Sequence, residues 1–397
     1  MNIRRRMLWR AAQIMFTAAM AAAFTFGAAL PNVTTVAFAK KLPKTFAWTA
    51  YGVKSSGYAQ SVAIGNALSA KGHKLRVVPG KNDISRMAPL RAGMVHFSAM
   101  GVGSYLAQEG VQDFGAPSWG PQPLRLIMAS WANTNTGNLP TAKDAGIRKM
   151  SDMRGKRVAW VVGSPALNSN LTSFLAFGGL TWDDVVIVKV PGFGASMKGL
   201  IEGTIDAAVA STDSSRLYEL NSSPRGLFFP PTPHNDKAGW ARLNKVAPWF
   251  QPHIATAGAG LSKSKTHEGA SYGYPILIAY TPQDSQMVYE LTKLLHTEYD
   301  KYKDGHPGGV GWAMERQVFK WILPYHKGAI RYFKEIGVWK DDHQLHNDSM
   351  VKRQQVLASA WKATRAKKSG GSDYLSFWMG ERASALKSAG FDPIWSK

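Results

Sequence analysis

Apolar positions along the chain alternate between a period of two and a helical period, and the alternation repeats. Thr45 to Tyr51 is apolar and β-prone, Tyr58 to Lys71 has helical spacing, and Leu75 to Val78 is a short extended run. The pattern continues with Ile84 to Arg91 as helix, Met94 to Ala99 as strand, Val102 to Gln108 as helix and Leu124 to Trp131 as a long buried strand. Strands separated by helices predict a parallel sheet with helices on its faces.

From Ser151 the alternation restarts. Arg157 to Val162, Val185 to Val190 and Ala207 to Ala210 read as strands, with Asn168 to Gly178 and Ala195 to Glu202 as helices between them. The Thr, Asn, Gly and Pro-rich stretch from Asn133 to Met150 is the expected first linker, and Ala255 to Ser264 the second. Beyond it, a strand at Ile276 to Tyr280 and an amphipathic helix over Gln283 to Lys303 are expected to return to the first unit. The predicted organisation is residues 1–39 as an export signal, 40–145 as the first part of lobe 1, 146–262 as lobe 2, 263–340 as the return to lobe 1, and 341–397 as a helical tail.

Composition fits that plan: 397 residues, 45% of them hydrophobic, supply the core of two α/β domains. Residues 1–39 stand apart. Arg4, Arg5, Arg6 and Arg10 precede an Ala-rich apolar run from Ala11 to Leu30, followed by Ala37-Phe38-Ala39 and Lys40, the order of a cleaved export signal with processing after Ala39. A single membrane anchor is the alternative, but Gln13, Thr17 and Thr25 dilute the run. Arg4-Arg5 leaves the general and the twin-arginine export routes both open. Removing those four arginines takes the formal charge from +22 to +18. The basic residues are scattered and no zinc-finger or RNA-binding signature accompanies them, so nucleic acid is not an expected partner. With no cysteine there is no disulfide framework, thiolate metal site or lipid-modified Cys, and the expected product is a diffusible, monomeric periplasmic protein.

The chemistry sits in loops at strand ends, where ligands bind in open α/β sheets. Gly52-Val53-Lys54-Ser55-Ser56-Gly57-Tyr58 joins the first strand to the first helix; its glycines allow a tight turn, and its hydroxyls and helix-start N–H groups suit an anion. Helix capping by Ser55 or Ser56 is the alternative role. Matching loops follow at Pro79-Gly80-Lys81-Asn82-Asp83, Ala99-Met100-Gly101, Gly163-Ser164-Pro165, Pro191-Gly192-Phe193-Gly194 and Ser211-Thr212-Asp213. Two such sets describe a cleft between lobes. The expected ligand contacts are Lys54, Ser55, Ser56, Tyr58, Asn82, Arg86, Met100, Ser164, Phe193, Thr212 and Asp213, with Lys54, Lys81 or Arg86 as the cation for a carboxylate. No metal-ligand spacing, phosphate loop or nucleophile elbow is found, so neither a cofactor nor an enzyme activity is expected.

The order Gly52 to Tyr58, Gly80-Lys81-Asn82 and Leu90-Arg91-Ala92-Gly93 resembles the first lobe of the TAXI-type receptors of TRAP transporters. Met153-Arg154-Gly155-Lys156-Arg157-Val158, Gly163-Ser164 and Leu200 to Ala207 are similar to their second lobe. Leu323-Pro324-Tyr325-His326-Lys327-Gly328-Ala329-Ile330-Arg331-Tyr332-Phe333-Lys334-Glu335-Ile336-Gly337 resembles their C-terminal signature, with Lys327 where Pro is usual. The resemblance covers about residues 45 to 340. It implies a type II periplasmic binding fold, two Rossmann-like lobes with a hinge and C-terminal helices. It also implies delivery of a carboxylate, such as glutamate or a dicarboxylate, to TRAP permease subunits in the membrane. Where the family's first loop has two glycines before paired aromatics, this chain has Ser56-Gly57-Tyr58-Ala59. The other readings are a receptor of an ATP-driven importer for a sulfonate or pyrimidine-like compound, and an enzyme on the same bilobal scaffold.

Overall fold

The computed structural model describes residues 41–395, so the export signal expected at residues 1–39 lies outside the described residues. The first lobe opens with β1 (Thr45–Tyr51), α1 (Ser56–Ser69), β2 (Lys74–Gly80), α2 (Asp83–Arg91), β3 (Phe97–Met100), α3 (Gly103–Glu109) and β4 (Leu124–Ala129). The burial pattern explains the order. β3, inside the sheet, and β4, whose outer side is covered by the bridge from Leu126 to Tyr325, are buried along almost their whole length, whereas β2 alternates and exposes Lys74 and Arg76 at the sheet edge. The starts of α1 and α2 are fixed locally: the Ser55 hydroxyl accepts the Tyr58 N–H at 3.2 Å, and Asn82 and Ser85 form a reciprocal capping box on α2.

The chain then crosses into a second sheet. Its elements are β5 (Thr141–Ala142), β6 (Arg157–Val161), α4 (Pro165–Phe177), β7 (Val186–Val190), α5 (Phe193–Glu202), α6 (Ser215–Ser222), β8 (Leu227–Phe228), α7 (Lys237–Val246), β9 (Gln251–Ala255) and β10 (His267–Ser271). β6 pairs in parallel with β7, β5 pairs with β8, and bridges from Ala207 to Val158 and to Thr141 join the two pairs. The Ala207 to Ala210 run therefore holds the middle of this sheet through bridges. β9 and β10 form an antiparallel pair.

The return is β11 (Ile276–Tyr280), α8 (Ser285–Thr297), a turn of α9 (Tyr299–Tyr302) and α10 (Lys327–Glu335). The first sheet has the order β2-β1-β3-β11-β4, with β11 antiparallel to both neighbours. The expected parallel sheet is thus mixed. The chain leaves the first lobe at the carboxyl end of β4, so a strand entering from that same side runs the other way. The two crossing segments are bonded to each other: Tyr274 N–H donates to the Ser130 carbonyl at 2.6 Å and Thr136 N–H to the Ser271 hydroxyl at 3.0 Å. Two α/β lobes joined by a paired crossing make a bilobal α/β fold.

The tail is α11 (Asp341–Lys367) and α12 (Tyr374–Ser388). It is tied to the first lobe by charge buried at the end of α3. Glu109, fully buried, accepts from Arg353 at 2.7 and 2.8 Å and from Arg382, and the Trp378 indole donates to the Gly110 carbonyl at 2.6 Å. Trp395 reaches the second lobe as well: its ring packs near Trp249 there and near Tyr105 of α3 in the first lobe, and its indole N–H donates to the Val246 carbonyl. Among the described residues no helix is long and apolar enough to cross a membrane.

Burial pushes the Glu109 carboxyl up, but Arg353 and Arg382 outweigh it and hold the group below its ordinary range. Its contribution to stability is therefore present above the ordinary carboxylate range and lost as pH falls through the depressed folded value. Replacing it with Gln leaves two buried guanidinium groups without their anion. Glu109→Gln is expected to cost about 3–5 kcal/mol in urea unfolding at neutral pH, and a loss under about 1 kcal/mol contradicts this anchor.

Candidate functional site

The strand-end loops of the two lobes meet face to face. Asn82 Nδ2 donates to the Val162 carbonyl at 3.0 Å, Ile84 N–H to the Gly163 carbonyl at 3.2 Å, and Phe193 N–H to the Lys81 carbonyl at 3.1 Å. Two acidic side chains, both buried, extend the contact. Asp83 of the first lobe accepts from Ala166 N–H at 2.8 Å, and Asp213 of the second accepts from the Ser56 hydroxyl at 2.8 Å. The Tyr51 hydroxyl joins Asp83 and the Ser164 hydroxyl, each at 3.1 Å.

Between these contacts lies a cavity of about 30 Å³, room for about one or two waters in the closed arrangement. Tyr51, Ser55, Ser56, Phe193, Ser211, Ser214, Tyr272 and Tyr274 are among its lining residues. The tyrosines approach closely because glycines face them: a Cβ at Gly57 would stand 2.6 Å from the Tyr274 hydroxyl, and one at Gly137 2.9 Å from the Tyr272 ring. Gly137 also has φ +64°, a conformation that favours glycine.

Of the residues expected from the sequence, Ser55, Ser56 and Phe193 line this cavity. Ser55 is also the α1 cap, so its structural and lining roles coexist. Asp213 sits between the lining residues Ser211 and Ser214. Asn82 clasps the opposite lobe. Ser164 bonds Tyr51 at the lobe interface. Thr212 is a crossing strut, its hydroxyl accepting from Asn135 N–H and donating to the Ala257 carbonyl, both at 3.1 Å. Met100 is buried at the end of β3, beside the lining residue Gly101, and Tyr58 is half-buried outside the lining.

The cationic candidates are placed elsewhere. Lys54 is exposed and pairs with Glu219 of α6, and Lys81 is exposed at the lobe edge. Arg86 is buried, ion-paired to Asp83 in its own helix, donates to the Ala99 carbonyl at 3.0 Å, and lies with Cζ 3.4 Å from the Tyr51 ring centroid. Burial works against its charge, yet Tyr51 and Asp83 hold the guanidinium above its ordinary range. Its charge is thus taken up by Asp83 and the Tyr51 ring.

Sequence reasoning missed Tyr51, Tyr272 and Tyr274. The available signal was Tyr272-Gly273-Tyr274 just before β11: two rings at the i, i+2 spacing that puts extended residues on one face. It also missed that Asp83 and Arg86 stand at i, i+3 on one helix. Among the described residues no cluster of three His, Asp or Glu side chains is placed to hold a metal ion.

Residues 53–337 match the NMT1-like family. Similar solved structures include the alkanesulfonate-binding protein SsuA from Xanthomonas axonopodis pv. citri bound to MOPS, at 13% identity over 82% of this chain and 95% of that one, TM-score 0.44. The periplasmic aliphatic sulphonate binding protein SsuA from Escherichia coli is 12% identical over 88% and 89%, TM-score 0.41. An ancestral arginine-binding protein bound to arginine is 13% identical over 67% and 96%, TM-score 0.39.

Burial raises the Asp213 carboxyl, opposed by nearby His306 and the Ser56 hydroxyl. With a raised folded pKa, its contribution to stability is full below the ordinary carboxylate range and is lost as pH rises through the folded value. Asp213→Asn, neutral throughout, is therefore expected to melt at progressively higher temperature than the parent as pH climbs from 4 toward 8. Parallel curves in a pH series of thermal melts contradict the assignment.

Proposed function

The chain belongs to the NMT1-like family, and from that membership we propose that it is the exported substrate-binding subunit of a membrane transport system. One observation carries the reading: a small lined cavity at the meeting point of two sets of strand-end loops. A receptor of this kind shifts between open and closed arrangements, and ligand contacts with both lobes favour the closed one. The Ser56 hydroxyl donates directly to a carboxylate with no imidazole between them, which is a latch rather than an activated nucleophile.

We further propose TRAP-type permease subunits as the partner, with residues 1–39 directing the protein to the periplasm, where it works as a monomer. Support comes from the resemblance of the Leu323 to Gly337 segment. In the fold His326 caps α10, its Nδ1 accepting Gly328 N–H at 3.1 Å while Nε2 donates to the Gln283 carbonyl at 3.1 Å. Burial lowers that imidazole to about 4, so it stays neutral at physiological pH.

Native mass spectrometry of the protein as isolated, followed by calorimetry with whatever it releases, is expected to give 1:1 binding with the compound recovered unchanged. Conversion of that compound contradicts the receptor reading. The triple variant Ser56→Ala, Asn82→Ala and Ser164→Ala is expected to bind at least about tenfold more weakly, since each change removes a bond of about 1 kcal/mol. In whole-cell uptake, inhibition by an ionophore supports the ion-gradient permease, whereas inhibition by vanadate with gradients intact contradicts it in favour of an ATP-driven importer.

A further inference from the structure

Residues 53–337 carry the family match, and the two lobes with their crossing segments are complete by α10. The tail beyond does more than cover the first lobe, because one side chain in it holds both ends of a link between lobes. Arg382, fully buried in α12, donates to the Glu109 carboxylate and, through Nε at 3.1 Å, to the Glu109 carbonyl on α3. Its Nη1 donates to the Pro393 and Trp395 carbonyls, each at 2.9 Å. Arg353 adds a bond from Nη1 to the Asp392 carbonyl at 2.8 Å, so the segment from Asp392 to Trp395 is bound to the first lobe through the guanidinium groups that grip Glu109.

The far end of that segment grips the second lobe. The Trp395 indole N–H donates at 3.1 Å to the carbonyl of Val246, the last residue of α7, and its ring lies 6.2 Å from that of Trp249. Trp249 is fixed within the second lobe by its own N–H, which donates to the Asn170 carboxamide of α4 at 3.0 Å. Tyr105 of α3 completes a triangle of rings, 5.8 Å from Trp395 and 6.3 Å from Trp249. One ring of the triangle thus belongs to each lobe and the third to the tail. When the lobes part, the two grips are unequal: the first is made of hydrogen bonds between buried charges, the second of one neutral hydrogen bond and ring contacts on a half-buried side chain. Separation therefore releases Trp395 from α7 and leaves it tied to Glu109.

We infer that Asp392 to Trp395 form a strap across the lobes, with Trp395 as the latch that favours their closed arrangement. The latch acts from outside the cavity, since neither Trp395 nor its partners Val246 and Trp249 are among the lining residues. Its effect on ligand affinity rests on the substrate-binding reading above: a receptor binds as its closed fraction allows, so the latch raises affinity without touching the ligand. Its effect on the lobes themselves needs no ligand.

Spin labels at Lys74→Cys on β2 and Lys189→Cys on β7, both exposed in a chain without cysteine, report the distance between lobes by pulsed electron resonance. In the unliganded protein Trp395→Ala is expected to raise the ratio of long to short distances about fivefold or more, the change that losing one hydrogen bond makes in an equilibrium. Trp395→Phe keeps a ring and loses the N–H, and is expected to shift the ratio the same way by less. Thermal melts establish that the variants are folded. An unchanged ratio in Trp395→Ala, or in Trp395→Phe where the alanine variant does not fold, overturns the strap, as does a shift toward shorter distances in either. Turnover of a bound compound defeats the receptor reading and leaves the strap standing.

Discussion

Two carboxylates in the lobe interface constrain the rest of the structure. Asp83 and Asp213 are buried, and each takes a hydrogen bond from the opposite lobe. A buried carboxylate depends on the hydrogen bonds that replace its water, so each of these loops relies on its partner across the interface. Separation exposes both groups to water and removes the penalty. Both bonds cross the lobe interface, so together they set how favourable the meeting of the lobes is.

Elsewhere the chain makes a rigid support for that movable contact. The crossing segments are bonded side by side through Ser130, Thr136, Ser271 and Tyr274, so the two connections act as one paired band. The same segments deliver Tyr272 and Tyr274 to the cavity, which couples the position of its aromatic wall to the band. Behind the first lobe, Glu109 holds α11 and α12 through Arg353 and Arg382. These helices lie beyond the residues that match the family, and their end at Trp395 touches the second lobe.

Much of the fold was legible in the sequence because hydrophobic period and loop chemistry agree. β1, β6 and β7 fall within a residue or so of their apolar runs. The direction of β11 was not legible, since a buried strand has the same apolar pattern whichever way it runs and only the path of the crossing decides it. Met94 belongs to the turn before β3, exposed after Gly93 at φ +68°, although its apolar side chain reads as strand. At the site, glycine and serine loops marked the right places, but the partners of long side chains did not follow from loop position. Lys54 reaches a carboxylate on the far lobe and Arg86 turns back onto Asp83. The aromatic wall came from the return crossing, far along the chain from the loop where paired rings were sought.

Because the chain has no cysteine, a pair of labels can report on the lobes without background. Spin labels at Lys74→Cys on β2 and Lys189→Cys on β7, both exposed, give the inter-lobe distance by pulsed electron resonance. The account predicts that Asp83→Asn and Asp213→Asn each alter the ratio of short to long distances in the unliganded protein, because each changes a carboxylate bonded across the interface. A distance distribution identical to the parent in both variants would contradict it.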